Sequence, residues 1–61
     1  MKLIRIKEKD VDVILDIEDI SIAGKVGENV VVMNKAGEKS SIPMDFKVFA
    51  DILRMKGIKI L

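Results

Sequence analysis

The chain has 61 residues and a formal net charge of +1, and it contains no Cys, His, Trp, Tyr, Thr or Gln. A folded chain of this size buries only about 60% of the surface that the unfolded chain exposes, which allows one domain with a thin core. The missing Cys and His exclude disulfides, Cys/His zinc sites and histidine catalysis. We therefore predict that the protein is not an enzyme and has no catalytic, cofactor-binding or metal-binding residues.

Apolar residues make up 49% of the chain, and Ile and Val alone supply 17 of its residues. Because a small domain leaves proportionately more of its surface exposed, this apolar content is hard to enclose within a monomer. We therefore predict that part of the apolar surface is shared with another copy or with a protein partner. The preference for branched aliphatic side chains over aromatic ones favours β-strands.

The distribution of apolar residues predicts a cytoplasmic protein. The longest apolar run, at 30–33, is far too short to cross a membrane, and the N-terminus lacks the apolar core of a signal peptide. Nine Lys against two Arg, together with abundant Ile, are typical of a heat-adapted source and equally of an A/T-rich genome.

Charge is unevenly distributed along the chain. Residues 1–9 hold four basic side chains and one acidic one, whereas residues 10–19 hold five acidic side chains and no basic one. Neighbouring blocks of opposite sign are what cross-strand charge pairs produce, so we interpret the acidic segment as a solvated strand face. The segment does not match an EF-hand calcium loop, because that loop needs polar residues and a central Gly where this chain has Val13, Ile14 and Leu15.

Hydrophobic alternation predicts short strands through the first two thirds of the chain, most clearly where Val11, Val13, Leu15 and Ile17 occupy every odd position. The alternation slips after Ile17, which predicts a bulge or a single helical turn near residues 18–19. The predicted strands are 2–7, 11–17, 20–23, 29–33 and 38–42.

Two features of the predicted sheet concern its centre and its turns. Strand 29–33 is apolar on both faces, which predicts a central strand covered on each side. The segment Gly24-Lys25-Val26-Gly27 has the GxxG form that some RNA-binding modules use as a backbone clamp. Because strands flank it here, whereas helices flank that clamp, we interpret it as a hairpin turn.

A helix is predicted over residues 44–56, after Pro43 ends the sheet, with Asp45 in its first turn and Gly57 as its stop signal. Residues 58–61 are predicted to form a final strand or a docked apolar tail. The predicted fold is therefore α+β: a single domain over 1–61, with a small, mainly antiparallel sheet of four to six short strands and one C-terminal helix packed on a face.

The predicted helix is apolar around most of its circumference, and such a helix needs cover on more than one side. This indicates an oligomer interface formed by Val48, Ile52, Met55, Ile58 and Ile60. The alternative is a basic surface for phosphate contacts, clustered across an oligomer and formed by Lys47, Arg54, Lys56 and Lys59.

The order of elements resembles two families. The segment 17–22 (IEDISI), then 28–33, 37–42 and the helix 46–53 resemble the first part of LytTR-type DNA-binding domains. The small flagellar FlbD-type proteins are similar over nearly the whole chain, with a short first strand, an "I-E-x-I"-like segment, two strands around a Gly-containing turn and a final helix. LytTR-type domains continue past the helix with strands that help present their DNA-reading loops, and no binding residue is carried over to this chain.

These observations predict a non-enzymatic regulatory or protein-interaction module that acts as a homo-oligomer. The alternative prediction is a small nucleic-acid-binding regulator.

Overall fold

The computed structural model describes residues 1–60, which form five strands and one helix. β1 and β2 form an antiparallel hairpin, and β3, β4 and β5 form an antiparallel sheet with β4 in the middle. The predicted α+β fold is confirmed, with the strands divided between two sheets. The elements are β1 Leu3–Glu8, β2 Val11–Asp16, β3 Ile20–Val26, β4 Asn29–Asn34, β5 Lys39–Ile42 and α1 Phe46–Met55.

A single hydrophobic cluster draws on both sheets and on α1. Val30 of β4, Ile6 of β1 and Phe49 of α1 are the most completely enclosed large side chains, each at most 1% exposed. Over the described part of the chain, no polar or charged side chain is buried, so the cluster is held together by the hydrophobic effect and close packing. Its buried members are Ile4, Ile6, Val11, Val30, Val32, Ile42, Met44 and Phe49.

Two-residue turns close the first two hairpins. Lys9 starts the β1–β2 turn with φ +41°, a left-handed conformation that is costly for a residue with a Cβ. Gly27 starts the β3–β4 turn with φ +61°, which glycine adopts at no steric cost. The predicted turn at 24–27 is therefore wrong in its position: Gly24 lies inside β3 opposite Val31, and pairing continues to the glycine that can reverse the chain.

Asn34 organises the longer turn between β4 and β5. Its side-chain oxygen accepts hydrogen bonds from the backbone N–H groups of Ala36 (3.0 Å) and Glu38 (2.9 Å), and its amide nitrogen donates to the Glu38 carboxylate (2.9 Å). Gly37, at φ +86°, completes the reversal. Side-chain bonds to nearby backbone are the reason that Asn is favoured in turns.

The predicted slip in the hydrophobic alternation corresponds to two features of the structure, a turn and a β-bulge. Residues 17–19 form a turn between β2 and β3, and a β-bulge follows between Ile20 and Ile22. Because the bulge sets two residues of β3 against one of β4, Ile20 packs against the core while Ile22 faces outward. An unbroken alternation would have placed both isoleucines on the same face.

Side chains and backbone caps define both ends of α1. Asp45 is the N-cap, and its carboxylate accepts hydrogen bonds from the N–H groups of Lys47 (2.7 Å) and Val48 (3.4 Å), so the helix begins at residue 46. Within residues 1–60, no helix is long and apolar enough to cross a membrane.

The cap at the C-terminal end of α1 explains why residues 58–60 do not form the predicted strand. Gly57 has φ +86° and donates to the Arg54 carbonyl, and Ile58 donates to the Leu53 carbonyl, the paired bonds of a Schellman motif. The prediction of a strand is wrong for residues 58–60, because the Ile58 amide completes the helix cap. The remaining residue of that prediction, Leu61, lies outside the described residues.

Candidate functional site

The helix residues of the predicted interface form a partly exposed stripe along α1. Val48 is 38% exposed and Met55 is 84% exposed, whereas Ile52 between them is half-buried against the core. Ile58 and Ile60, beyond the helix, are also half-buried. Of the five predicted side chains, the structure presents Met55 fully to solvent and Val48 in part, and the two are separated by about 10 Å along the helix axis.

The geometry of α1 explains why these two side chains point outward. Phe49 and Ala50 are buried, and they set the face that α1 turns toward the sheets. At 3.6 residues per turn, Val48 and Met55 fall on the opposite side of the helix together with Asp51. The outward side of α1 is thus a narrow apolar line with a carboxylate beside it.

The predicted basic residues are all exposed, but they do not gather in one place. Lys47 and Arg54 line a shallow groove together with Lys25 of β3 and the half-buried Phe46. Lys56 and Lys59 are not among the residues that line it.

Acidic side chains moderate the charge of this basic groove. Asp45 lines the same groove as the basic residues. Arg54 donates a hydrogen bond of 3.0 Å to Asp51, which occupies part of its donor capacity. The groove is therefore of mixed charge rather than a strongly basic surface.

A larger open cleft, of ≈ 590 Å³, lies between the two hairpin turns and the start of α1. Its rim carries charges of both signs: Glu8, Glu28 and Asp45 are acidic, and Lys9 and Lys25 are basic. Among residues 1–60 there is no cluster of three or more His, Cys, Asp or Glu side chains that could hold a metal ion. Such a mixed rim favours neither an anion nor a cation.

The predicted cross-strand charge pairing is confirmed on the outward face of the β1–β2 hairpin. The Arg5 guanidinium donates to both carboxylate oxygens of Asp12, at 2.9 and 2.8 Å. These hydrogen bonds hold the pKa of Asp12 below its ordinary value and raise the pKa of Arg5. Ile14, which is 67% exposed, lies directly opposite Arg5 on the same face. Because the pair is exposed, it orients the side chains more than it stabilises the fold.

A further apolar surface lies on the face of the β3–β4–β5 sheet that points away from the core, here called the outer sheet face. Ile22 and Val26 of β3 are 60% and 62% exposed on it, and Val31 and Met33 of β4 are half-buried. Strand register places the residues in three cross-strand rows, because directly opposed residues share a face. The rows are Ile22, Met33 and Lys39; Gly24, Val31 and Ser41; and Val26 with Asn29.

Sequence reasoning identified part of this surface and missed the rest. The apolar character of both faces of β4 predicted cover on each side, and the prediction is wrong for the chain taken alone. The core face carries the buried Val30 and Val32, whereas Val31 and Met33 remain partly exposed on the other face. Ile22 was missed because the bulge that turns it outward changes the phase of the alternation within β3.

No family model matches the chain, and neither a curated protein nor a solved structure matches it. The resemblance to FlbD-type proteins and LytTR-type domains stays a prediction from the pattern of elements.

Proposed function

We propose that this protein is a non-enzymatic, cytoplasmic regulatory or protein-interaction module that acts as a homo-oligomer. The observation that carries the proposal is that the fold completes its core and still leaves large aliphatic side chains exposed on both sheets and on the helix. Each of the following is at least 58% exposed: Leu3, Ile14, Ile22, Val26 and Met55. Burial of such side chains against another chain is the common use of large apolar patches on soluble proteins.

The total surface supports the same proposal. The chain exposes 4631 Å², whereas the size scaling of monomeric proteins gives about 4,000 Å² for this mass. An excess of accessible surface together with an apolar content of 49% favours association, because each buried square ångström of apolar area lowers the free energy. The lack of His and Cys in the sequence supports the non-enzymatic part of the proposal.

Sedimentation velocity over a dilution series tests self-association directly. We expect the sedimentation coefficient to rise with concentration through the micromolar range, toward that of a dimer or larger assembly. Absorbance of the peptide bond or interference optics must be used for detection, since the chain has no Trp and no Tyr. A single species of 6.8 kDa at every concentration would contradict the proposal.

A second candidate function, nucleic-acid binding, is favoured by the groove where Lys25, Lys47 and Arg54 surround Phe46. Basic side chains beside an aromatic ring are the usual components of a surface for single-stranded nucleic acid. For this function we expect a labelled single-stranded oligonucleotide to bind at low salt and to be released as salt rises. Lys47→Glu should weaken binding, whereas Lys7→Glu, in the separate hairpin, should not. Absence of binding at low salt would exclude this candidate.

A further inference from the structure

We infer that a second copy of this chain covers the outer sheet face, so that two β3–β4–β5 sheets pack face to face around a two-fold axis. This inference rests on the proposed homo-oligomeric function and assigns its interface. It places the contact on the sheet rather than on the helix stripe of Val48, Ile52 and Met55. Three properties of the face support a like copy as its occupant: its charge, its relief and its area.

The first property is the near absence of charge from the outer sheet face. The chain has 11 basic and 10 acidic residues among 61, yet within the rows described above only Lys39, on the edge strand β5, is charged. A two-fold axis brings identical surfaces together, so a charged centre would meet its own sign and be repelled. A face with an uncharged centre avoids that penalty, whereas a charged partner would gain no complementary contact there.

The second property is an alternation of ridge and depression. Ile22 and Val26 stand on either side of Gly24 along β3, and a Cβ added at Gly24 would meet no atom within 4 Å. Ser41 forms the other small position of the same row, across Val31. An isologous interface requires a surface that is complementary to itself, and protruding side chains beside an open depression provide this.

The third property is area. Three strands about 4.8 Å apart, with about five residues of 3.4 Å rise each, give a footprint of roughly 14 by 17 Å. With side-chain relief and the rim, the face supplies roughly 500 Å² of accessible surface per copy, or roughly 1,000 Å² in total. This value lies at the lower limit for a specific interface, the range in which weak and transient complexes are found.

The other exposed apolar surfaces are less suitable for a second copy. On α1, Val48 and Met55 are separated by an isoleucine that already packs on the core, and Asp51 lies beside them. On the β1–β2 hairpin, the Arg5–Asp12 ion pair occupies the face that carries Ile14. Burying either surface would desolvate charged groups, which offsets the apolar gain.

Matched lysine substitutions test the assignment. Ile22→Lys introduces a charge into the outer sheet face, and Ile14→Lys makes the same change on the outward face of the other sheet at similar exposure. We expect Ile22→Lys to weaken the dimer at least about 100-fold, because the two-fold axis brings two cations together. Ile14→Lys and the helix variant Met55→Lys should leave the dissociation constant within about threefold of wild type. Sedimentation equilibrium measures all four proteins.

A second variant and a second measurement distinguish loss of the interface from loss of the fold. Val26→Lys lies on the same face near the β3–β4 turn, and far-UV circular dichroism confirms that each variant is folded. In the wild-type protein, amide signals of β3, β4 and β5 should shift on dilution, whereas those at the outward positions of α1 should not.

The outcomes separate this inference from the proposed function. A wild-type dimer that Met55→Lys or Ile14→Lys disrupts, and Ile22→Lys does not, would overturn the sheet interface and leave self-association intact. A wild-type chain that is monomeric throughout would overturn both. A monomer that cosediments with phosphatidylcholine vesicles, and loses this property with Ile22→Lys, would identify a lipid surface as the occupant and overturn the second copy.

Discussion

Replacing Phe49 by alanine is expected to unfold the protein. Phe49 is 1% exposed and is the largest fully buried side chain in the described part of the chain. Truncating a buried Phe to Ala costs about 3–5 kcal/mol through lost burial and the cavity left behind. A single core in a chain this short rarely supplies more than about 3–5 kcal/mol of stability, so the loss removes most or all of it.

Urea denaturation followed by far-UV circular dichroism measures the effect, since the chain has neither Trp nor Tyr for fluorescence. Met55→Ala serves as the control on the same helix, because Met55 is 84% exposed and Ala is an excellent helix former. Its free energy of unfolding should stay within about 0.5 kcal/mol of wild type. A stable Phe49→Ala protein would show that the helix contributes little to the core.

The second large effect is expected at Ile6, which is 1% exposed in β1. Ile6→Ala should lower the free energy of unfolding by about 2–5 kcal/mol. Ile14→Ala, the same substitution on the outward face of the paired strand β2, should cost less than about 1 kcal/mol, mainly through lower β-propensity.

Thermal and urea denaturation of the two isoleucine variants should be compared at a single protein concentration, since self-association contributes to apparent stability. The comparison tests the position of the core, because the same substitution is made on opposite faces of one hairpin. Equal destabilisation by the two substitutions would contradict the assignment of Ile6 to the core and Ile14 to the surface.

The two candidate interfaces require different side chains to be buried by the second copy. The sequence-based interface uses the outward line of α1 and requires Val48 and Met55 to be buried by a partner. The outer sheet face requires the same of Ile22 and Val26. A dimer formed through the sheet would leave Met55 exposed, and lysine at that position separates the two arrangements in a single experiment.

Local patterns predicted the elements because their causes are local. Period-two alternation indicated the β1–β2 hairpin, and the complementary charge blocks predicted the pairing realised by Arg5 and Asp12. Gly57, interpreted as the helix stop signal, caps the C-terminal end of α1, whereas Asp45, predicted to lie in the first turn, is instead the N-cap.

What the sequence determined by itself was the α+β class, the approximate strands and helix, and the presence of more apolar side chains than a small core can enclose. Only the tertiary structure decided which of those side chains remain outside. The division into two sheets, the bulge that turns Ile22 outward, and the packing of Ile52 against the core depend on contacts between residues distant in the chain. No window of neighbouring residues encodes such contacts, because they are determined by the packing of all the elements together.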